Sequence, residues 1–246
     1  MQLMKKRSIS SMVIECLGTG SKGNCYLIKS GSAKFLLDAG VSIDKILAHT
    51  NLNDIDFTFI SHCHNDHSLS KGKLAKRGVS IIDGGINSLW RKNSNLGNFK
   101  GNIYTFGVSH GETVCSGCIC ENEYDTILYI TDFNLCTWNL NCFKFTSIII
   151  ECNYCESKVT QELIDADPKI KRQINTHMGV DGLVTFLKTL DLSKCEEIIL
   201  VHKSTDSRLF NQEEAMTRVF GEFLIPVGVA QHKGGIEWLG KDEFIL

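Results

Sequence analysis

The stretch Ser61-His62-Cys63-His64-Asn65-Asp66-His67-Ser68 places three histidines and one aspartate within six consecutive positions. Imidazole and carboxylate hold divalent cations; they suit zinc, and less selectively manganese or iron. His62 and His64 are two apart at the end of a β-rich run, Asp56 to Ser61. Period-two alternation points both rings to the same side. Asp66 and His67 follow where the chain turns toward a helix, and approach from another direction. One segment can thus serve two neighbouring ions, one at each pair. The competing account is a polar loop with chance histidines or adventitious metal uptake. Four ligand-type residues directly after a strand weigh against it.

Two other patterns invite chemistry. Gly18-Thr19-Gly20-Ser21-Lys22-Gly23 matches G-x-G-x-x-G, with Asp38 standing 20 residues after Gly18. A dinucleotide site needs a helix to open at the third glycine. Here Asn24 to Ile28 are strand-like, so the expectation is a hairpin whose glycines supply positive φ. Cys115-x-x-Cys118 and Cys152-x-x-Cys155 have the residue types of a four-cysteine zinc site. Both pairs fall on or beside expected strands, where residues three apart face opposite sides. Reduced cysteines acting as small buried apolar residues are the better expectation.

The elements that must position these residues are short. Strands are expected over 13–17, 25–29, 34–37, 56–61, 79–82, 103–106, 113–120, 126–131, 147–151, 198–201, 226–230 and 236–239. Helices are expected from an N-cap at Ser42 to about His49, and over 69–77, 181–190 and 212–223. Strands arrive in runs with helices between the groups. That pattern fits two sheets with helices packed outside, in one domain over residues 1–246.

The chain of 246 residues is 43% hydrophobic, enough for a sizeable core. Its net charge of -2 lacks the global basic excess of a protein that grips a long duplex by its phosphates. Met1 to Arg7 imitates the basic start of a signal peptide, but Ser8, Ser10, Ser11 and Glu15 interrupt the apolar run that should follow. No apolar run approaches the roughly 18 residues of a membrane span, so no membrane partner is expected. A reducing, cytoplasmic compartment is expected, with the 11 cysteines as mostly free thiols.

The pattern His62-x-His64-x-Asp66-His67 resembles the signature of the metallo-β-lactamase superfamily. Leu36-Leu37-Asp38-Ala39-Gly40, Val108-Ser109-His110-Gly111, Tyr129-Ile130-Thr131-Asp132 and Ile199-Leu200-Val201-His202 resemble its other segments, in the same order, from about residue 13 to residue 240. The opening hairpin and "IIIECNY" are similar to the YycJ/VicX-like branch, which is associated with exonuclease activity. Ribonuclease Z, PhnP-type phosphodiesterases and phage anti-Pycsar cyclic nucleotide phosphodiesterases look related. The resemblance implies a four-layer αββα sandwich of the α/β class. It implies two divalent metal ions, zinc before manganese. His62, His64 and His110 would hold the first, Asp66, His67 and His202 the second, and Asp132 would bridge them. It also implies a homodimer, and the host cytoplasm if the chain is phage-encoded. Phe133-Asn134 replaces the family's usual Thr-Gly, which should change the pocket lining. His177 stands where ribonuclease Z and PhnP carry a histidine facing the scissile phosphate.

Two adjacent ions lower the pKa of a shared water and neutralise charge on a phosphate undergoing in-line displacement. Asp66 would orient that water, and His177 would bind the phosphate or protonate the leaving oxygen. A local hydrogen bond at a helix end is the alternative for His177. Asp38 is expected to brace the ligand loops, His49 and His232 to lie on the surface, and Lys203 and Ser204 either to touch phosphate or to be solvated. The expected function is a di-metal phosphodiesterase acting on a nucleotide, including a cyclic mononucleotide. An exonuclease on DNA or RNA ends is the alternative, and the near-neutral charge tilts toward the small substrate. A lactonase or thioesterase, and a non-catalytic metal-stabilised nucleotide-binding module, fit the phosphate-facing His177 and the intact ligand set less well.

Overall fold

The computed structural model describes residues 12–84 and 91–240. Met1 to Ser11, on which the signal-peptide question turns, lie outside the described residues. The first sheet comprises β1 (Val13–Gly18), β2 (Cys25–Ser30), β3 (Ala33–Leu37), β4 (Phe57–Ile60) and β5 (Ile81–Asp83), side by side in chain order. Between them lie α1 (Ile43–Leu47), α2 (Asn65–Ser68) and α3 (Lys71–Lys76). The β1–β2 and β2–β3 pairs are antiparallel hairpins, whereas β3, β4 and β5 are parallel.

The second sheet begins with β6 (Arg91–Leu96), β7 (Phe99–His110), β8 (Thr113–Asn122), β9 (Thr126–Ile130) and β10 (Ser147–Glu151). The helices α4 (Gln161–Ala166), α5 (Pro168–Thr176) and α6 (Val180–Leu187) intervene, followed by β11 (Glu197–Val201), α7 (Gln212–Phe223), β12 (Val227–Ala230) and β13 (Ile236–Leu239). Neighbours follow the order β13-β12-β11-β10-β9-β8-β7-β6, with β9 to β12 mutually parallel.

Strand alternation sorts the side chains into layers. Ile127, Tyr129, Ile149, Ile199 and Val201 face Tyr26, Phe35, Leu37, Phe57 and Phe59 in a core between the sheets. Leu128, Ile130, Ile148, Ile150, Ile198 and Leu200 point the other way, against Leu183 and Leu187 of α6 and Met216 and Val219 of α7. Leu27 and Leu36 on the outer face of the first sheet meet Ile43 and Ile46 of α1 and Leu74 of α3. The result is four layers, helix–sheet–sheet–helix. Strands buried on both faces explain the continuous apolar runs "SIIIE" and "EIILV". No described helix is long and apolar enough to cross a membrane.

Three expectations are corrected or decided here. The helix expected over 69–77 is the shorter α3, and an unexpected turn, α2, precedes it across a break where Ser70 donates to the Val41 carbonyl at 2.6 Å. Asp66 and His67 therefore lie in a helical turn of their own. The glycine motif is a β1–β2 hairpin, with Gly20 at φ 81° and Gly23 at φ 132°, and no helix follows it. That excludes the dinucleotide site. The two Cys-x-x-Cys pairs cannot converge, because Cys118 lies in the core between the sheets while Cys152 and Cys155 lie in the core under α6 and α7.

Candidate metal centre

The carboxyl ends of β3, β4, β7, β9, β10 and β11 deliver the polar residues of one cluster. Asp38 follows β3, His62 and His64 follow β4, and His110 ends β7. Asp132 follows β9, Glu151 ends β10, and His202 follows β11. Three of these sit in left-handed backbone conformation: Asp38 at φ 57°, Asp132 at φ 50° and His202 at φ 52°. Such geometry costs a non-glycine residue roughly 1–3 kcal/mol and concentrates at functional sites. The α2 turn closes the cluster from the side. Its approach depends on Gly40, where a Cβ would stand 1.7 Å from the Asp66 carbonyl oxygen.

Asp132 organises the cluster through its two oxygens. Oδ2 lies 3.5 Å from His110 Nε2 and 3.9 Å from His62 Nε2. Oδ1 lies 3.2 Å from His202 Nε2 and 3.3 Å from His67 Nε2. His64 Nδ1 joins the first set, 2.8 Å from His62 Nε2. Asp66 Oδ2 joins the second, 3.6 Å from His67 Nε2 and 3.9 Å from His202 Nε2. With one donor atom per residue, His62, His64, His110 and Asp132 lie within 4.8 Å of one another, and so do Asp66, His67 and His202.

The ring nitrogens that face away are held by the protein. His67 Nδ1 donates to Asp38 Oδ2 at 2.6 Å. The same oxygen accepts from the Tyr129 hydroxyl at 2.6 Å, while Asp38 Oδ1 accepts the Ser61 backbone N–H at 2.7 Å. His110 Nδ1 donates to the Thr176 carbonyl at 3.1 Å. His202 Nδ1 donates to Glu151 Oε1 at 2.9 Å. Fixing the outer nitrogen leaves the inner lone pair for a cation, which is how metal-binding histidines are commonly braced.

Burial and charge pull these groups apart. Burial and the neighbouring His67 push His62 down to about 3, against the pull of Asp132. Burial would lower His202 too, but Asp132, Asp66 and Glu151 outweigh it and hold the ring up at about 10. His67 is likewise raised, its burial outweighed by Asp132 and Asp38. Burial opposes ionisation of Asp132, yet His202 and His67 keep its carboxyl well below the usual carboxylate range.

The donor set fits a pair of divalent cations. Four-coordinate ligands at zinc-like distances stand about 3.3 Å apart, close to the 3.2, 3.3 and 3.5 Å separations around Asp132. His202 Nε2 is buried with no hydrogen-bond partner, and it points at the carboxylates. An orphaned, buried ring nitrogen costs about 1–3 kcal/mol unless something engages it.

Beside the cluster opens a cavity of about 430 Å³ bordered by His202, His177, Asn153 and Ser204. His177 caps the C-terminus of α5, with its Nδ1 2.6 Å from Glu151 Oε1. Its ring stacks on His202 at 5.2 Å between centroids.

Residues 18–82 match the metallo-beta-lactamase superfamily by sequence. The chain has the metallo-β-lactamase fold. By sequence it is similar to exodeoxyribonuclease WalJ of Streptococcus pneumoniae, at 38% identity over 66 residues, covering 25% of this chain and 24% of that enzyme's length. The fold matches that of the metallo-beta-lactamase fold protein YhfI from Bacillus subtilis with a TM-score of 0.68 at 16% identity, over 94% of this chain and 100% of the other. It also matches a diphosphatase of the PhnP family with a TM-score of 0.55 at 14% identity, over 92% of this chain and 97% of the other.

The structure brings His62, His64, Asp66, His67, His110, Asp132 and His202 together and sets His177 beside them. Asp38 lies beneath the cluster, fully buried. Cys63 is exposed and points away. Neither Phe133 nor Asn134 lines the cavity, contrary to expectation. Phe133 packs in the core against Phe186, and Asn134 Nδ2 donates to the Asn175 carbonyl at 2.5 Å. His232 is half-buried, its Nδ1 2.8 Å from the Thr19 carbonyl oxygen, rather than free on the surface. Lys203 is half-buried, and its ammonium donates to Gln212 and Gln231 at 2.7 and 3.0 Å. Sequence reasoning missed Glu151. It is fully buried, accepts from both His177 and His202, and takes the Phe133 N–H on its second oxygen at 2.8 Å. The signal was a carboxylate ending an otherwise apolar strand, "SIIIE".

Proposed function

We propose that the protein is a metal-dependent phosphodiesterase that hydrolyses a phosphodiester bond of a nucleotide. The observation that carries this is the division of the ligand set by Asp132, whose two carboxylate oxygens each face a separate histidine group. His62, His64 and His110 would hold one divalent ion, Asp66, His67 and His202 a second, and Asp132 both. Zinc is the preferred ion from the nitrogen-rich donors, with manganese as the alternative. Such a pair supplies a shared water of lowered pKa and neutralises charge on the phosphate. The chain's own residues do the rest. Asp66 is half-buried and would accept a hydrogen bond from such a water. His177 is held at Nδ1 by Glu151 and would present Nε2 to the phosphate; carrying a second proton there, the ring would protonate the leaving oxygen.

Hydrolysis of bis(p-nitrophenyl) phosphate with added Zn²⁺ or Mn²⁺ tests this, together with metal content by mass spectrometry. About two ions per chain and turnover are expected, with Asp132→Ala and Asp66→Ala losing both metal and rate. Absence of turnover with either ion sinks the proposal. A second reading, an exonuclease on DNA or RNA ends, is supported by the similarity to WalJ, of which the matched segment spans about a quarter. The homodimer implied by the superfamily resemblance belongs to the same proposal and is checked by light scattering.

A further inference from the structure

The cavity beside His177 and His202 has one wall that the metal chemistry does not use. Lys169, Arg172, Gln173 and Thr176 of α5 all border it. Their spacing, i, i+3, i+4 and i+7, is one stripe along a helix. The stripe is tied to the metal centre. Gln173 Nε2 donates to Asn153 Oδ1 at 2.5 Å, and Asn153 Nδ2 donates to the His202 carbonyl at 2.7 Å. Opposite stand Ser21, from the glycine hairpin, and Ser204.

The charge of this wall is one-sided. Lys169, Arg172 and Lys203 border the cavity, and no carboxylate does. Among the described residues neither Lys169 nor Arg172 has an ion-pair partner, although both are exposed. Arg208, by contrast, pairs with Asp167 and Asp206. Lys169 sits in the first turn of α5, behind the N-cap Asp167, whose carboxylate takes the Lys169 backbone N–H and pairs with Arg208 rather than with the Lys169 ammonium. An anion in the cavity would pair with both the Lys169 and the Arg172 side chains. The net charge of -2 therefore conceals a local excess of positive charge beside the reacting centre. No Phe, Tyr or Trp side chain lines the cavity, so its only rings are those of His177 and His202 at the site itself.

We infer that Lys169 and Arg172 hold a second, non-reacting phosphate next to the one cleaved, so that the substrate is a single-stranded oligonucleotide end read through its backbone rather than its bases. This rests on the phosphodiesterase reading and names its substrate class. A cyclic mononucleotide has one phosphate and cannot engage both places.

The test compares the wild-type protein with a Lys169→Ala/Arg172→Ala double variant, both positions being exposed. Substrates are bis(p-nitrophenyl) phosphate, six-nucleotide oligothymidylate and oligouridylate, and 3′,5′-cyclic mononucleotides, with metal added. For both oligonucleotides the variant should raise KM at least tenfold with kcat within about twofold. Its rate on bis(p-nitrophenyl) phosphate should not change. The faster oligonucleotide then identifies DNA or RNA as the source of the backbone. Fluorescence anisotropy in chelator gives a readout without turnover: removing the contact to that one phosphate should lower the salt slope of oligonucleotide binding by about 0.7. Oligothymidylate and oligoadenylate should bind alike. An unchanged KM and salt slope, an equal loss on bis(p-nitrophenyl) phosphate, or a cyclic mononucleotide turned over more efficiently than either strand would overturn the inference while leaving the phosphodiesterase intact. If the wild-type protein cleaves no phosphodiester at all, the failure lies with the phosphodiesterase reading, and the salt slope still decides whether the backbone site exists.

Discussion

At the scale of single residues, two buried carboxylates brace the ring nitrogens that face away from the centre. Asp38 holds His67, and Glu151 holds His202 and His177 together. Asp38→Asn should lower metal affinity about 10- to 100-fold, as loss of a bracing group typically does; competition with a chelator measures it. Glu151→Gln and His177→Ala should differ in kind. The first should weaken metal retention and kcat together, because one carboxylate serves both rings. The second should reduce kcat about 10²-fold or more with metal content unchanged. A His177→Ala variant that loses metal would make that ring a ligand instead. The pH dependence follows from His202, held at about 10 when metal-free against an ordinary value of about 6.5. A raised pKa contributes stability that is complete below about pH 6.5 and is lost as pH rises through about 10. The metal-free protein should therefore lose Tm from pH 7 to pH 10, while metal affinity rises over the same interval as that proton becomes easier to displace. A Tm that climbs with pH in chelator contradicts this.

At the scale of elements, positions are set by close approach as much as by apolar pattern. Gly40→Ala would drive a methyl group into the Asp66 carbonyl and push α2 from the β3 loop. Reduced metal content with near-native circular dichroism is expected, and unchanged metal content would show that α2 tolerates the shift. Leu183→Ala, under the second sheet, should cost about 2–5 kcal/mol in chemical denaturation, because Leu183 is fully buried on α6. The strands that alternate between two cores were legible in the sequence, and so was α7, whose limits match the expected 212–223. The elements that escaped are those whose residues do not partition. β6 reads "RKNSNL" and is held by backbone pairing to β7, so it carries no apolar period. The helix α5 buries only Ile170 fully, and its remaining turns present polar side chains to the cavity. An element built to line a site looks, in sequence, like a loop.

At the scale of the whole molecule, the cysteine count separates packing from reactivity. Cys63 and Cys142 are exposed, while the rest are buried or half-buried. Burial pushes the Cys16 and Cys195 thiols up to about 12. Iodoacetamide at pH 8 should modify Cys63 and Cys142 in the folded chain and the others only after unfolding; mass spectrometry of the labelled peptides reads the pattern. The site was more legible than its surroundings. His62, His64, Asp66 and His67 are adjacent in sequence, and the resemblance supplied their distant counterparts. Glu151 and the cations of α5 declare themselves only through space. Residues 13–83 make one sheet and residues 91–239 the other. On the proposed ligation each ion draws from both: His62 and His64 with His110, Asp66 and His67 with His202. A chain synthesised from its N-terminus presents four donors before any of their partners exists. Stable capture of a cation must wait for the halves to dock, and the ions then act as a clasp across the seam. Chelation should loosen that seam before it melts either half, with amide exchange rising first at the ends of β4 and β11.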